Sequence, residues 1–407
     1  MREIELSTMF DVSPSGRMGD AFFDVFTKRH QVKVKRLHME WPDSWNRLVQ
    51  FGLHSHGPDV SEVGTTWLGS FHTMDALRSL AMGEMALLGG EHQFPPSIWQ
   101  ACKIDHDNRL VGVPWTLDIR VVLYRRDWLQ KAGVDESTAF VDSDRFSETL
   151  KRLKAAGHPS PLGLTTAQTH TRLSHDLACW VWSAGGDIRS DDGRRMMLMQ
   201  PESRAGMEAY FGLNQFISPA MGGQTDEIQV FQDFFEGKTA VAVLPERAYL
   251  EVTTNTSNYV VPEVAENIGM AMLMKAPYIG GSALTIWRHS LDYQDALKLV
   301  QYLTSLETWQ ALYPLYPSYT PARLDALDKS PLAAMPFYPA IQQSLKNGRS
   351  FHSGFRWSGV EGRLVSTIEQ MWRDLRANPE LNIAFEVEKR FSDLCIRLEQ
   401  SILASSW

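Results

Sequence analysis

The chain has 407 residues, of which 43% are hydrophobic and 22% charged, an ordinary globular composition with enough length for two domains. The net charge of -8 and a pI near 5.9 argue against a nucleic-acid partner, which normally leaves a basic footprint. No apolar run approaches the roughly 18–20 residues of a membrane span. The three cysteines are far apart, so neither a disulfide framework nor a zinc-site spacing is visible.

The first sixty residues alternate between strand and helix patterns. The predicted elements are strands at 4–10, 32–37 and 60–63 and helices at 17–30 and 43–54. This βαβαβ order predicts a parallel sheet with helices on both faces. Such sheets bind ligands at the carboxyl ends of their strands. The candidate cleft walls are therefore the loops at 11–15, 40–42 and 64–67.

The stretch 112–133 combines a strand pattern with misplaced polar groups. Its run at 121–124 is β-branched and aromatic, which is typical of a strand buried on both faces. Trp115, Asp118 and Arg120 interrupt the same stretch, and the two charged groups are costly to bury unpaired. We therefore expect this strand to pass a cleft.

The remainder of the chain carries a second α/β pattern without internal repeats or low-complexity segments. The predicted elements are helices at 143–156, 171–183, 201–217, 230–236, 292–305 and 363–402 and strands at 240–244 and 283–287. The mixture of short buried strands and amphipathic helices again predicts an α/β domain.

Five motifs occur in the same order as in one known family. They are Gly57-Pro58-Asp59-Val60, the segment from Val113-Pro114 to Lys131-Ala132-Gly133, the run from Phe235 to Val241, Gly280-Gly281-Ser282, and Tyr302-Leu303-Thr304-Ser305. In this respect the chain resembles the extracellular carbohydrate-binding proteins of ABC importers, the group that includes maltose-binding protein. Two features depart from the family pattern. Glu246-Arg247 replaces a usual tryptophan, and a threonine-tryptophan motif is missing from 135–146.

The resemblance implies a two-lobe α/β fold of the type II periplasmic-binding-protein class. The implied lobes are 1–117 with 283–325 and 118–282 with 326–407. A hinge would be crossed near 115–120, 278–283 and 320–332, and the ligand would be enclosed between the lobes. Binding would then be a hinge closure in which ligand contacts favour the closed state.

Sugar recognition needs aromatic faces for the C–H surfaces of a pyranose and polar groups for its hydroxyls. The resemblance and this chemistry together give one set of candidate ligand contacts. They are Thr65, Thr66, Trp67, Trp115, Asp118, Arg120, Trp182, Glu246, Arg247, Gly281, Ser282 and Trp357. Trp180 and Trp182 lie two residues apart on one helix, so only one of them can face a cleft.

Other readings of the same residues stay open. Arg120 and Arg247 as bidentate anion donors would suit a sugar phosphate or a glycerol phosphodiester. Asp118 and Glu246 would be the two carboxylates if the chain were a glycosidase. The pairs His54 with His56 and His170 with His175 lack the further ligands that a metal shell requires.

The function predicted from the sequence is capture of a carbohydrate and its delivery to the permease subunits of an ABC transporter. No catalytic residue, metal or cofactor is expected, and the protein is expected to be a monomer. Its location should be the periplasm or the extracellular face of a membrane, with the export signal outside this sequence. Each candidate residue also has a plain structural role as its alternative, in the core or at the surface.

Overall fold

The computed structural model describes residues 1–13, 16, 18–103, 109–167, 172–218, 223–254, 260–351, 354 and 357–403. The strands are β1 (Arg2–Thr8), β2 (Val32–His38), β3 (Val60–Gly64), β4 (Val113–Arg125), β5 (Leu162–Gly163), β6 (Val241–Pro245), β7 (Ile268–Met272), β8 (Ile279–Ile286) and β9 (Thr320–Pro321). Across the described ranges, no helix has the length and apolarity needed to span a membrane.

Helices connect and cover these strands. They are α1 (Asp20–His30), α2 (Trp41–His54), α3 (Leu68–Thr73), α4 (Met82–Leu87), α5 (Pro96–Ala101), α6 (Arg126–Lys131), α7 (Ser143–Ala155), α8 (Arg172–Ser183), α9 (Pro201–Gly212), α10 (Glu227–Phe235), α11 (Arg247–Thr254), α12 (Pro262–Asn267), α13 (Tyr293–Leu303), α14 (Leu306–Leu312), α15 (Leu324–Leu327), α16 (Tyr338–Asn347), α17 (Trp357–Ala377) and α18 (Ile383–Leu403).

The chain divides into two compact units. Unit 1 comprises Met1–Asp118, Gly280–Met335 and Ser350–Ser358, and unit 2 comprises Ile119–Ile279, Pro336–Arg349 and Gly359–Trp407. The first division falls one residue beyond the expected 117/118 boundary, inside β4. The later ones differ more, because the chain enters unit 2 at 335/336, returns to unit 1 for Ser350–Ser358, and does not divide at the expected 325/326.

Unit 1 contains the predicted parallel βαβαβ arrangement. β1 lies between β2 and β3 and runs parallel to both, which confirms the prediction for the first sixty residues. β8 then adds antiparallel to β3, and the first half of β4 lies beside β8 and pairs with β9. The core includes Trp115, whose ring contacts Phe10 on one side of the chain order and Trp309 on the other.

Unit 2 is built on the second half of β4. β6 and β7 pair antiparallel with the two sides of this half-strand, and β5 adds parallel to β6. Residues 121–124 are fully buried, as the apolar run predicted. Every residue of α8 from Leu173 to Trp182 is buried, and its Asp176 contacts Arg120 of β4. α8 is therefore a core helix of unit 2.

Element boundaries shifted by two to four residues at several places. β1 ends at Thr8 rather than at residue 10, and α2 begins at Trp41 rather than at residue 43. α10 begins at Glu227, because Asp226 caps its first turn by accepting a hydrogen bond from the Gln229 backbone. The proposed start of another helix at residue 171 lies outside the described residues.

Candidate functional site

The carboxyl ends of β1, β2 and β3 meet at one edge of the unit 1 sheet. These three strands are parallel, so the segments that follow them begin side by side. The segments are residues 9–13, residues 39–41 and the turn Thr65–Trp67. They overlap the loops at 11–15, 40–42 and 64–67 that the sequence predicts as cleft walls, of which residues 14 and 15 lie outside the described ranges.

Three tryptophans form a partly exposed aromatic cluster at this edge. Trp67 contacts Trp41 with ring centroids 5.8 Å apart, and it contacts Trp45 at 5.4 Å. Both pairs are edge-to-face, at 64° and 67°. All three side chains are neither buried nor fully exposed. We call Trp41, Trp45 and Trp67 the tryptophan platform.

Trp41 is a functional candidate that was not predicted from the sequence, although the loop that contains it was. The sequence feature that could have identified it is its place shortly after β2, at the carboxyl end of a parallel strand. Trp45 of α2 packs on Phe71, with ring centroids 5.5 Å apart. It also supports Trp67, so its packing role and its place in the platform coincide.

Thr65 and Thr66 precede Trp67 but point inwards. Their exposed fractions are 3% and 7%. Gly64 lies opposite Ser282 in the β3–β8 pair, which brings this turn next to the Gly281-Ser282 segment within unit 1. These predicted site residues are therefore neighbours, with Trp67 the most accessible of them.

Gly281 is required by the backbone. Its φ is +141°, and a Cβ atom placed there would lie 1.9 Å from the Thr116 carbonyl oxygen. The adjacent Ser282 side chain is fully buried, and its hydroxyl hydrogen-bonds the Thr116 hydroxyl at 2.7 Å. Both residues thus fix the contact between β8 and β4 in unit 1.

Trp115 and Trp357 are both buried, and each contacts residues of unit 1. The Trp115 ring has no exposed surface, and its indole N–H donates to the Leu303 carbonyl at 3.1 Å. Trp357 is 2% exposed and packs on Phe351 with ring centroids 4.4 Å apart. In unit 1 both have the setting of core side chains.

Asp118 differs from its neighbours in β4. It is partly exposed, whereas every other residue of β4 is buried. It is also the last residue of the first unit 1 segment. Asp118, one of the residues that interrupt the apolar pattern of this strand, is therefore the residue at which β4 is partly accessible.

Arg120 pairs with two carboxylates of unit 2, the buried Asp176 and the partly exposed Glu227. It is fully buried, and it donates from Nε to Asp176 at 2.7 Å and from one terminal nitrogen to Glu227 at 2.8 Å. Burial raises the pKa of Asp176 to about 6, and the Arg120 charge opposes that rise. This ion pair compensates charges that are expensive to bury alone.

Around Glu227 the charged groups become accessible. Arg172 approaches this carboxylate at 3.3 Å and Arg247 at 3.7 Å, and Arg247 also pairs with Glu251 at 3.4 Å. The side chains of the two arginines are 17% and 23% exposed. Two predicted site residues, Arg120 and Arg247, are thus joined through one acidic residue that the sequence reading did not single out.

Trp182 and Glu246 are buried within unit 2. The Trp182 ring is 5% exposed, it donates to Asp187 at 3.1 Å, and the Arg349 guanidinium lies 4.8 Å from its centre. Glu246 accepts a hydrogen bond from the Ile119 backbone N–H at 2.6 Å. It thereby clamps β6 to β4 instead of forming a surface turn.

Trp180 packs in the unit 2 core. It is 1% exposed and contacts Phe146 and Tyr210. Trp182 instead has polar neighbours, although it too is buried. Of these two tryptophans, Trp182 keeps the more site-like surroundings.

Metal-ligating side chains do not assemble in the described ranges. No group of three or more His, Cys, Asp or Glu residues there is arranged to hold a metal ion. The predicted histidine pair that includes His170 cannot be described, because residue 170 lies outside those ranges. The site chemistry available is aromatic contact and charge-assisted hydrogen bonding.

The fold matches solved structures of solute-binding proteins over nearly its whole length. The sugar-binding protein MalE of Xanthomonas citri has a TM-score of 0.79 at 18% identity, covering 100% of this chain and 98% of that one. Maltose-bound MalE3 of T. maritima has 0.75 at 18%, covering 97% and 99%. A solute-binding protein of Thermotoga lettingae bound with α-D-tagatose has 0.77 at 18%, covering 99% and 100%. The predicted periplasmic-binding-protein fold class is therefore confirmed.

The sequence comparisons identify the family. A probable ABC transporter-binding protein of Deinococcus radiodurans is 24% identical over 309 residues, which span 73% of this chain and 70% of that protein. Residues 21–340 match the model of the family described as bacterial extracellular solute-binding protein. The chain belongs to this family, whose members bind solutes for ABC transporters and are not enzymes. The prediction of an ABC solute-binding protein is confirmed at that level.

Proposed function

We propose that this protein captures a neutral carbohydrate outside the cytoplasm and delivers it to the permease subunits of an ABC transporter. The observation that carries the proposal is the tryptophan platform at the carboxyl edge of the unit 1 sheet. Its partly exposed rings offer apolar faces where parallel sheets bind ligands. The sugars named for two of the similar structures support this choice of ligand class.

Aromatic rings and charged groups divide the work of holding a sugar. Trp67 is the proposed stacking residue for the C–H face of a pyranose, since its edge-to-face contacts with Trp41 and Trp45 fix its orientation. Asp118 is the proposed acceptor for sugar hydroxyls, because it is the accessible carboxylate of β4. Arg247 is the proposed polar contact of unit 2.

The buried candidates have supporting roles in this proposal. Trp115, Trp357, Trp182, Glu246 and Ser282 shape the segments that carry the contacts, because each is at most 5% exposed. The prediction that they touch a ligand, like the prediction of a monomer and of hinge closure, stays a prediction.

A phosphorylated ligand is less compatible with the charges of unit 2. Arg120 already serves two carboxylates, and Arg247 pairs with Glu227 and Glu251. A phosphate group approaching these arginines would meet the negative charge of Glu227, which repels it. Neutral hydroxyls can share hydrogen bonds with both signs of charge, so this cluster favours a neutral sugar.

A thermal-shift panel tests the ligand class. Maltose, maltotriose and D-tagatose are compared with glucose 6-phosphate and glycerol 3-phosphate, since a ligand that binds only the folded state raises Tm by mass action. We expect stabilisation by at least one neutral sugar. Stabilisation by the phosphorylated compounds alone, or by none of an extended sugar panel, would overturn the proposal.

A tryptophan substitution tests the platform. Trp67→Ala should lower the affinity for the stabilising sugar by about tenfold or more, because it removes a central aromatic contact. The matched control is Trp128→Ala, which removes another half-buried tryptophan that packs on Lys131 and His158 in unit 2. Equal affinities in the two variants would show that the platform is not the contact surface.

A further inference from the structure

A buried carboxyl group lies beneath the platform edge of unit 1. Glu62 is 1% exposed, in the middle of β3 between Ser61 and Val63. Its Oε2 atom accepts two hydrogen bonds, from the Thr8 hydroxyl at 2.7 Å and from the Met9 backbone N–H at 2.7 Å. Neither bond is local in sequence, since 53 and 54 residues separate the partners.

The same carboxyl group lies near a second pair of buried side chains. Glu62 pairs with Leu284 in the β3–β8 register and Gly64 pairs with Ser282, so Ser282 is the diagonal neighbour of Glu62 on the same face. The Ser282 hydroxyl hydrogen-bonds the Thr116 hydroxyl of β4 at 2.7 Å. Thr8, Glu62, Ser282 and Thr116 therefore form a row of buried polar side chains on four strands, with none more than 8% exposed.

Residues 9–13 leave β1 from the point where Glu62 holds it. The Phe10 carbonyl accepts a hydrogen bond from His38 at 2.8 Å, and the Asp11 carbonyl accepts one from Tyr316 at 3.0 Å. Asp11 in turn accepts from the Ser13 backbone and hydroxyl. The turn is thus fixed at its first residue by Glu62 and further along by side chains of other elements.

We propose that Glu62 is a positioning residue, which sets the turn at 9–13 at the sugar-contacting edge of unit 1. The role in binding rests on the proposed function, whereas the role in fixing the turn does not. Glu62 itself is too deeply enclosed to touch a ligand. It acts through the Met9 amide and the Thr8 hydroxyl.

Packing alone does not account for a carboxyl group at this position. An isolated buried carboxyl is costly, and its cost is offset only when hydrogen bonds satisfy its oxygens. Burial raises the pKa of Glu62 and the Thr8 hydrogen bond opposes the rise, so the group is held at an electrostatic cost. What the buried carboxyl group provides is two long-range hydrogen bonds, to Thr8 at the end of β1 and to Met9 directly after it.

Amide hydrogen exchange of the ligand-free protein tests the positioning role. In Glu62→Ala the Met9 amide loses its acceptor, and we expect its protection to fall at least tenfold, with residues 10–13 following. Glu62→Gln keeps a carbonyl oxygen for the same bonds and should restore most of the protection. Thr8→Val removes a hydroxyl that donates to Glu62 and accepts from the Phe10 amide, so protection at Met9 should show an intermediate loss while the Phe10 amide loses its acceptor directly.

Ser61→Ala is the matched control. Ser61 is the residue before Glu62 in β3, and it is fully buried. It hydrogen-bonds Ser7 and Trp287, and not Thr8 or Met9. We expect it to leave Met9 protection unchanged. Equal losses in Ser61→Ala and Glu62→Ala, or no rescue by Glu62→Gln, would overturn the proposal. If Glu62→Ala does not fold, the Glu62→Gln and Thr8→Val comparison decides it.

A titration with maltose separates this proposal from the ligand assignment. Where maltose binds the wild type, Glu62→Ala should raise the Kd for maltose at least fivefold. The Kd values of Glu62→Gln and Ser61→Ala should stay within twofold of the wild-type value. Unchanged affinity beside a loosened turn would remove Glu62 from binding. If maltose does not bind the wild type, the neutral sugar that raises Tm replaces it in the titration. If no neutral sugar binds, the proposed ligand class fails and the exchange result still decides the turn.

Discussion

At the scale of single residues, Gly281 shows how a backbone position constrains the candidate site. Substitution Gly281→Ala should destabilise the protein by at least about 3 kcal/mol, because it adds an unfavourable φ and a clash with the Thr116 carbonyl. Urea denaturation followed by tryptophan fluorescence measures the change.

The control for Gly281 is another glycine with positive φ. Gly133 has a φ of +64° and no atom within 4 Å of its added Cβ. Gly133→Ala should cost only about 1 kcal/mol, the left-handed penalty alone. Similar losses in the two variants would mean that the clash relaxes and that β8 is free to shift.

The pH dependence of stability should reveal the buried Glu62 carboxyl. Burial raises its pKa in the folded protein, so its favourable contribution is complete below the unfolded pKa near 4.5 and is lost as the pH rises through the folded pKa. Glu62→Gln should therefore gain stability relative to wild type as the pH rises from about 4.5 to 8. Chemical denaturation across this range measures the difference.

The exposed acid Glu3 of the neighbouring strand serves as the comparison. Glu3→Gln should show a difference from wild type that stays small over the same range. A Glu62→Gln difference that is constant with pH would contradict a raised pKa and imply that the carboxyl is ionised in both states.

At the scale of elements, α8 and α9 approach each other at a glycine. A Cβ atom at Gly206 would lie 2.7 Å from the Trp180 carbonyl oxygen and from the Val181 Cα. Gly206→Ala should therefore separate the helices and destabilise the protein by about 1–3 kcal/mol. Thermal and urea unfolding measure this loss.

The same helix supplies its own control. Gly212 lies at the end of α9 with no atom within 4 Å of an added Cβ. Gly212→Ala should stabilise the protein by about 0.5 kcal/mol, since it reduces the freedom of the unfolded chain. A loss in both variants would point to helix geometry instead of the contact with α8.

Elements with strong periodicity were predictable from the sequence, and their surroundings were not. The parallel order of β1, β2 and β3 followed from alternating strand and helix patterns. The assignment of Ser350–Ser358 to unit 1 leaves no signal in the sequence, because it depends on contacts with residues that are distant along the chain. Hence the later division points differed from the expected ones.

The candidate site was predictable in its loops but not in its burial. Asp118 interrupts an apolar strand, and it is indeed the accessible residue of β4. Trp115 interrupts the same strand, yet it is enclosed, because Phe10 and Trp309 come from distant parts of the chain. A single sequence does not reveal such partners, which also explains why Glu62 and Glu227 were missed.

At the scale of the whole molecule, the three cysteines report on the two units separately. Cys102 belongs to unit 1, whereas Cys179 and Cys395 belong to unit 2, and all three are buried. Burial raises the pKa of each thiol, for Cys395 to about 12. All three should therefore react slowly with iodoacetamide in the native protein.

Destabilising variants should change this pattern unit by unit. Gly281→Ala should speed alkylation mainly at Cys102, and Gly206→Ala mainly at Cys179 and Cys395, because each loosens the unit that contains it. Pulse alkylation with peptide mass spectrometry measures each thiol. Equal acceleration of all three in both variants would indicate that the units open as one cooperative body.

The enclosed thiols also make the chain a convenient scaffold for an optical sensor. Glu40 is exposed and directly precedes Trp41 of the platform, at the start of α2. In Glu40→Cys the new thiol would be the readily labelled one, since the native three are buried. A dye attached there sits beside the proposed sugar surface, so its emission becomes a direct readout of occupancy without any change to the native cysteines.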